Sequence, residues 1–174
     1  VRYCLILEQE LWNDSLPAEM ARHMVRDNYQ LVMGNRPLFY LLGASGINKA
    51  QIDALRGAAL AAGVGNPYIV LMRVVESDMA AVSTLGVDAL SLYAISWIGH
   101  GVPYADLTAA AVAQWDWVRG QGIPVVPNVT AGWDNRPFHL HPTDWYPDPG
   151  PNSWVRQARP AEIAAHLKDA LAWV

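Results

Sequence analysis

Short apolar runs recur along the chain, at Tyr3 to Leu7, Pro37 to Leu42, Tyr68 to Val74, Ala89 to Ile95 and Ile123 to Val129. Each has the length of a strand, and helical or Ala-rich patterns lie between and after them: Pro17 to Val32, Asn48 to Ala62, Ser77 to Leu85, Tyr104 to Gln121 and Pro160 to Val174. Pro17 and Pro160 stand near first-turn positions, where a missing N–H costs little, and Gly63, Gly86 and Gly120 fall where helices should stop. The pattern predicts a βα unit repeated five times. Strands that are apolar along their length and separated by crossover helices belong in a parallel sheet covered on both faces.

Two α/β architectures satisfy this pattern. A five-stranded doubly wound sheet would be complete within the chain, whereas a (β/α)8 barrel would need three more units. No phosphate-binding signature decides the matter, because Gly43-Ala44-Ser45-Gly46 has neither the GxGxxG spacing nor the lysine of a P-loop. Periodicity alone leaves both architectures open.

Composition narrows the class. At 174 residues, 52% of them apolar, the chain suits one domain with a sizeable core. A net charge of -4 with only 12 Lys plus Arg argues against a partner that is nucleic acid. The single Cys4 excludes an internal disulfide and reads as a small buried hydrophobe, and no Cys/His cluster has zinc spacing. The apolar runs are too short to span a membrane. The chain opens at Val1, directly in an apolar stretch, so we expect a segment of something longer; localisation stays open. No cofactor is expected.

The unusual feature is 8 Trp. Trp12, Trp97, Trp133, Trp145 and Trp154 fall in predicted loops, while Trp115, Trp117 and Trp173 fall in helical patterns. A flat ring with one N–H donor suits stacking on a sugar face, and equally well caps a core beneath a long loop. The stretch from Thr130 to Arg159, rich in Pro, Trp, Asp and His, separates the last strand from the last helix. Loops of this length inside a domain are usually functional, and this one leaves the sheet at the edge where α/β folds bind ligands.

Candidate chemistry gathers at the strand ends. Alternation past the first strand places Glu8 and Glu10 on one side, as a carboxylate pair of the kind glycoside hydrolysis uses or as a solvated acidic strand end. After the fifth strand, Trp133, Asp134 and Arg136 offer a stacking face, an acceptor and a guanidinium, or a loop-shaping ion pair. His100 follows the fourth strand and is a candidate proton shuttle, sugar hydrogen-bond donor or loop-shaping residue. His139 and His141 with Asp134 and Asp144 lack a positioned ligand set, so no metal is expected. No GxSxG elbow signals a serine nucleophile.

These residues resemble a known family, the glycoside hydrolase family 99-like proteins, which include the WbsX-like glycosyltransferases. Ile123 to Pro137 is similar to that family's "vPxVxxGWDxRPR" segment, departing at Phe138, where Arg is frequent. Asp88 to Tyr93 resembles "DaxtxY", and Asn35 to Tyr40 resembles "gRPvlyi". Tyr3 to Trp12 is similar to "FxlxWANExW", with Glu10 and Trp12 matching, Gln9 in place of Asn and Leu7 in place of Trp. The correspondences keep their order and cover nearly the whole chain.

The resemblance implies a partial (β/α)8 TIM barrel, five βα units in sequential order, corresponding to the third to seventh strands. Residues 1–174 would be one domain, a fragment of a longer catalytic domain. It implies a glycoside hydrolase-like enzyme acting on α-mannoside-like linkages. The catalytic glutamates would lie in a "NEWxEG" motif after the eighth strand, which these residues do not contain. The catalytic groups are then unassigned, with Glu8 and Glu10 only as weak candidates, and the substrate-binding set is Glu10, Trp12, Tyr93, His100, Trp133, Asp134 and Arg136. The expected partners are a glycan or polysaccharide and the remainder of the barrel. A non-catalytic glycan-binding module and a polysaccharide-biosynthesis glycosyltransferase are the alternative functions.

Overall fold

In the computed structural model, which describes residues 1–73, 77–95, 99–144 and 148–174, the central strand β3 (Arg36–Leu42) alternates half-buried with buried positions. Phe39 and Leu41 on its buried side are fully shielded from solvent. On one side β3 pairs in parallel with β1 (Leu5–Glu8), and on the other with β4 (Tyr68–Arg73), which pairs in turn with β5 (Ala89–Leu92). The parallel strands therefore lie in chain order. A two-residue strand, β2 (Leu31–Val32), adds an antiparallel pairing to β3.

The fifth predicted strand, Ile123 to Val129, shrinks to a bridge between Val125 and Leu90. It is closed by Leu90 N–H to the Pro124 carbonyl and Val126 N–H to the Leu90 carbonyl, both 2.9 Å. Pro124 and Pro127 lack the N–H groups that a longer ladder would use. The bridge still places this segment next to β5, so the order stays sequential, as in consecutive units of a (β/α)8 barrel. That excludes the doubly wound alternative, which needs a crossover to the far side of the first strand.

Between the strands run α1 (Leu16–Met24), α2 (Lys49–Ala61) and α3 (Asp78–Leu85). Asn48 caps α2 reciprocally with Gln51: Asn48 Oδ1 accepts the Gln51 N–H at 3.1 Å, and Gln51 Oε1 accepts the Asn48 N–H at 2.8 Å. The predicted helix from Pro17 to Val32 is wrong in its second half. The chain leaves α1 at Met24, turns through Asp27-Asn28, and buries Tyr29, whose hydroxyl donates to the Leu38 carbonyl at 2.8 Å. It then runs into β2 and a tight turn with positive φ at Met33, Gly34 and Asn35. The other boundaries shift by a few residues at most; Val74 lies outside the described residues.

At the N-terminal edge of this sheet a polar network fastens four elements. Asp88, just before β5, accepts from Arg36 of β3 at 2.6 Å, Arg56 of α2 at 3.0 Å and the Ile69 N–H of β4 at 2.9 Å. Burial pushes its carboxyl up, but these donors outweigh burial and hold it below the usual range.

The chain divides into two compact units, Val1–Tyr93 with Gly122–Val126, which holds the sheet, and Ala94–Gln121 with Pro127–Val174. In the second, α4 (Tyr104–Gly120) packs on α6 (Pro160–Trp173). Trp115 is buried, stacks on His166 at 5.4 Å, meets the edge of Trp173 at 5.7 Å, and donates Nε1–H to Asn128 Oδ1 at 3.1 Å. A short helix, α5 (Arg136–Leu140), lies within the long loop. Among the described residues no helix is long and apolar enough to cross a membrane.

Candidate functional site

The long loop of the second unit folds back on itself. Residues 133–135 run antiparallel to 153–155: Asn135 N–H reaches the Ser153 carbonyl and Val155 N–H the Trp133 carbonyl, each at 2.8 Å, with a bridge between Asp134 and Trp154. Asn135 Nδ2 adds a bond to Ser153 Oγ at 3.0 Å. This pairing brings Trp154 and Arg156 to the segment the sequence singled out. Gly101 makes room for Trp154, since a Cβ there would fall 2.5 Å from the indole, and its φ of 67° is one that other residues rarely adopt.

Trp133, Asp134, Arg136, Trp154 and Arg156 together line a cavity of about 380 Å³. Asp134 and Arg136 form a two-pronged pair, Nε to Oδ1 at 2.9 Å and Nη2 to Oδ2 at 2.6 Å, and the Arg136 N–H adds a third bond to Oδ1 at 3.0 Å. These bonds hold the Asp134 carboxyl below its usual range and raise the Arg136 guanidinium further. Asp134 is thus an ionised, committed acceptor rather than a free base. The Arg136 guanidinium lies over the Trp154 ring at 4.3 Å. The indole Nε1–H of Trp133 is buried and has no hydrogen-bond partner among the described residues. A donor left so costs about 1–3 kcal/mol.

The other candidates are not among the residues that line this cavity. His100 donates its backbone N–H to the Asn152 carbonyl at 2.6 Å, has a φ of 65°, and lines a second cavity of about 410 Å³ with Gly99 and Pro149–Ser153. His139 meets Asp148 at 2.7 Å, and Gly150 N–H together with His139 holds that carboxyl low. Among the described residues no three His, Cys, Asp or Glu groups are placed to hold a metal ion. Trp97 and Trp145 lie outside the described residues.

Glu8, Glu10, Trp12 and Tyr93 belong to the first unit. The alternation that put Glu8 and Glu10 on one side fails, because β1 ends at Glu8 and the chain enters a 3-10 turn over Gln9–Leu11. Both carboxylates are exposed and neither makes a hydrogen bond or ion pair with a described residue. Gln9, which sequence reasoning passed over, accepts the Ser45 N–H and packs against Gly43, tying the end of β1 to the end of β3. Trp12 is half-buried and closes the turn by donating its N–H to the Gln9 carbonyl at 3.2 Å. Tyr93, just past β5, is 52% exposed, with its backbone N–H on the Arg73 carbonyl at 3.2 Å. Burial pushes the Cys4 thiol up, away from a nucleophilic thiolate.

Trp154 and Arg156 line the same cavity and were not among the site residues expected from the sequence. The abundance of loop Trp was the available signal for the first; nothing in the sequence marked the second.

No family model matches the sequence, and no curated protein matches it. Among solved structures, the chain is similar to a GH99 endo-alpha-mannosidase from Bacteroides thetaiotaomicron, with a TM-score of 0.50 and 15% identity over 84% of this chain and 45% of that one. It is similar also to a GH99 endo-alpha-mannosidase from the same organism in complex with bis-tris propane, with a TM-score of 0.51 and 15% identity over 84% of this chain and 47% of that one. The chain therefore spans less than half the length of these structures. Likeness at this identity establishes the fold, an α/β partial (β/α)8 barrel of the kind these glycoside hydrolases have.

Proposed function

We propose that these 174 residues form part of a longer (β/α)8 carbohydrate-active domain, related to the glycoside hydrolase family 99-like proteins, and that they supply binding surface for a glycan. The observation that carries this reading is the cavity at Trp133, Asp134, Arg136 and Trp154, where two indoles and a fixed guanidinium–carboxylate pair sit in the loop that follows the fifth strand position. Indole faces suit the apolar C–H faces of pyranose rings, and the pair offers hydroxyls both donors and acceptors in one rigid geometry. The motif resemblance and the barrel likeness support the same surface. An α-mannoside linkage is the substrate class the neighbours suggest. Tyr93, His100, Glu10 and Trp12 are proposed as further contacts to the glycan.

Asp134 favours binding over proton transfer for this part of the domain, since both its oxygens already accept from Arg136. We assign no acid or base within these residues; in the family resemblance those roles belong to glutamates of a segment not contained here. A non-catalytic glycan-binding role is the second reading, favoured by the same commitment of Asp134.

Binding of the full chain to a panel of mannan-type and other bacterial oligosaccharides, with reducing-sugar release followed in parallel, tests both readings. Glycan binding that falls at least about tenfold on Trp133→Ala supports the surface. Turnover separates the enzyme reading from the binding-only reading. Absence of binding across the panel contradicts both.

A further inference from the structure

The side chains lining the cavity beside Trp133 carry an excess of positive charge that a neutral sugar would not correct. Among its lining residues Asp134 is the one carboxylate, and Arg136 occupies both of its oxygens. That pair is neutral as a unit. Arg156 lines the same cavity, is exposed, and makes no ion pair or side-chain hydrogen bond with any described residue. Its backbone, in contrast, is fixed by donation to the Val102 carbonyl at 3.1 Å, so the guanidinium projects from an anchored position. The cavity thus carries one uncompensated positive charge, and its complement is a ligand that brings one negative charge.

We propose that this cavity receives a sugar unit bearing a carboxylate, a uronic acid within the glycan, and that Arg156 selects it. The proposal rests on the glycan-binding reading above. A guanidinium presents a planar fork that matches a carboxylate in two parallel hydrogen bonds, which a hydroxyl cannot reproduce. Trp133 and Trp154 supply the stacking that holds the ring, and Arg156 supplies discrimination between an acidic sugar and its neutral counterpart. Arg136 cannot take this role while Asp134 engages it.

The test is calorimetric titration of the full chain with oligomannuronate, oligogalacturonate and oligoglucuronate, each beside its carboxyl-reduced neutral counterpart and beside α-mannan oligosaccharides. At least one acidic oligomer binds about tenfold or more tighter than its reduced form, and the preference weakens as salt rises. Arg156→Gln lowers the affinity for the acidic oligomer at least about tenfold more than that for its neutral counterpart, and Arg156→Lys restores part of the difference. Thermal unfolding of both variants matches the parent, as expected for an exposed side chain without partners among the described residues. If neutral oligomers bind as well as acidic ones, or the preference survives Arg156→Gln, the charge selection is overturned and the glycan reading stands. If neither acidic nor neutral oligomers bind, the glycan reading itself fails and takes this proposal with it.

Discussion

The two units use their polar groups differently. In the first, each carboxylate oxygen of Asp88 has a donor, the Tyr29 hydroxyl reaches the Leu38 carbonyl, and Ser91 Oγ reaches the Val126 carbonyl at 2.8 Å. These bonds fasten strands to each other. In the second, buried polar atoms at Gln114, Trp133, Asn135 and His166 stand without hydrogen-bond partners among the described residues. Native structures leave few such groups unsatisfied, and those they do leave tend to serve something other than stability. The contrast teaches that polar bonds tie the sheet unit together, while the loop-rich unit is held together with several buried polar groups left unpaired among the described residues.

The contrast is broken most severely by emptying the scaffold. Phe39→Ala is expected to cost about 4 kcal/mol, because the side chain is fully buried in the sheet and leaves a cavity. Urea unfolding measures this directly, and a loss below about 1 kcal/mol would mean that the parallel sheet does not carry the unit's stability. Asp88→Ala comes next, at about 2 kcal/mol, below the usual range for a broken buried pair because its side chain is 18% exposed. Its effect also has a pH signature. The folded carboxyl sits below its ordinary 3.8, so its contribution is full above that value and is lost as pH falls through the lower folded one. The Asp88 variant should therefore lose part of the parent's acid sensitivity in that window.

In the second unit the expected effects are smaller. Gly101→Ala places a Cβ against the Trp154 ring at a positive φ, at a cost of about 1–2 kcal/mol. Hydrogen exchange should show the loss in residues 99–102 and 152–156 and leave the strands unchanged; a loss spread through the sheet would erase the distinction between the units. The smallest effect is a titration. His166 is buried against Trp115 and the edge of Tyr104, and burial holds its pKa below the ordinary 6.5 against the opposing pull of Asp169 and the nearby Asn128 carbonyl, which lies outside hydrogen-bond geometry. The neutral ring's contribution is full above 6.5 and declines as pH falls through the folded value. Stability of the parent should fall between neutral and mildly acidic pH, and His166→Phe should flatten that part of the curve.

Much of the scaffold was legible because strand signals are local. Apolar runs at Pro37 to Leu42 and Tyr68 to Val74 announced β3 and β4 within a residue or two. The misreadings have physical causes. Leu31 and Val32 continue the apolar spacing of α1, but Asp27-Asn28 turns the chain and the positive-φ turn at 33–35 sends it back along β3. Pro124 and Pro127 shortened the fifth strand to a bridge. Glu8 and Glu10 were paired by an alternation that stops at Gln9. At the cavity, Trp133, Asp134 and Arg136 were legible because their proximity is written in adjacent positions. Trp154 and Arg156 were not, because they arrive through an antiparallel pairing some twenty residues away that no sequence period announces.

The central claim is that the cavity around Trp133 is a glycan site, and its most direct test is the indole N–H spectrum of the 15N-labelled full chain during glycan titration, with Trp133 and Trp154 assigned by substitution to Phe. The account predicts that the Trp133 and Trp154 indole N–H resonances both shift, with one midpoint, as the glycan fills the cavity that the two rings line. Saturating glycan binding that leaves both resonances in place would put the site elsewhere and contradict the account.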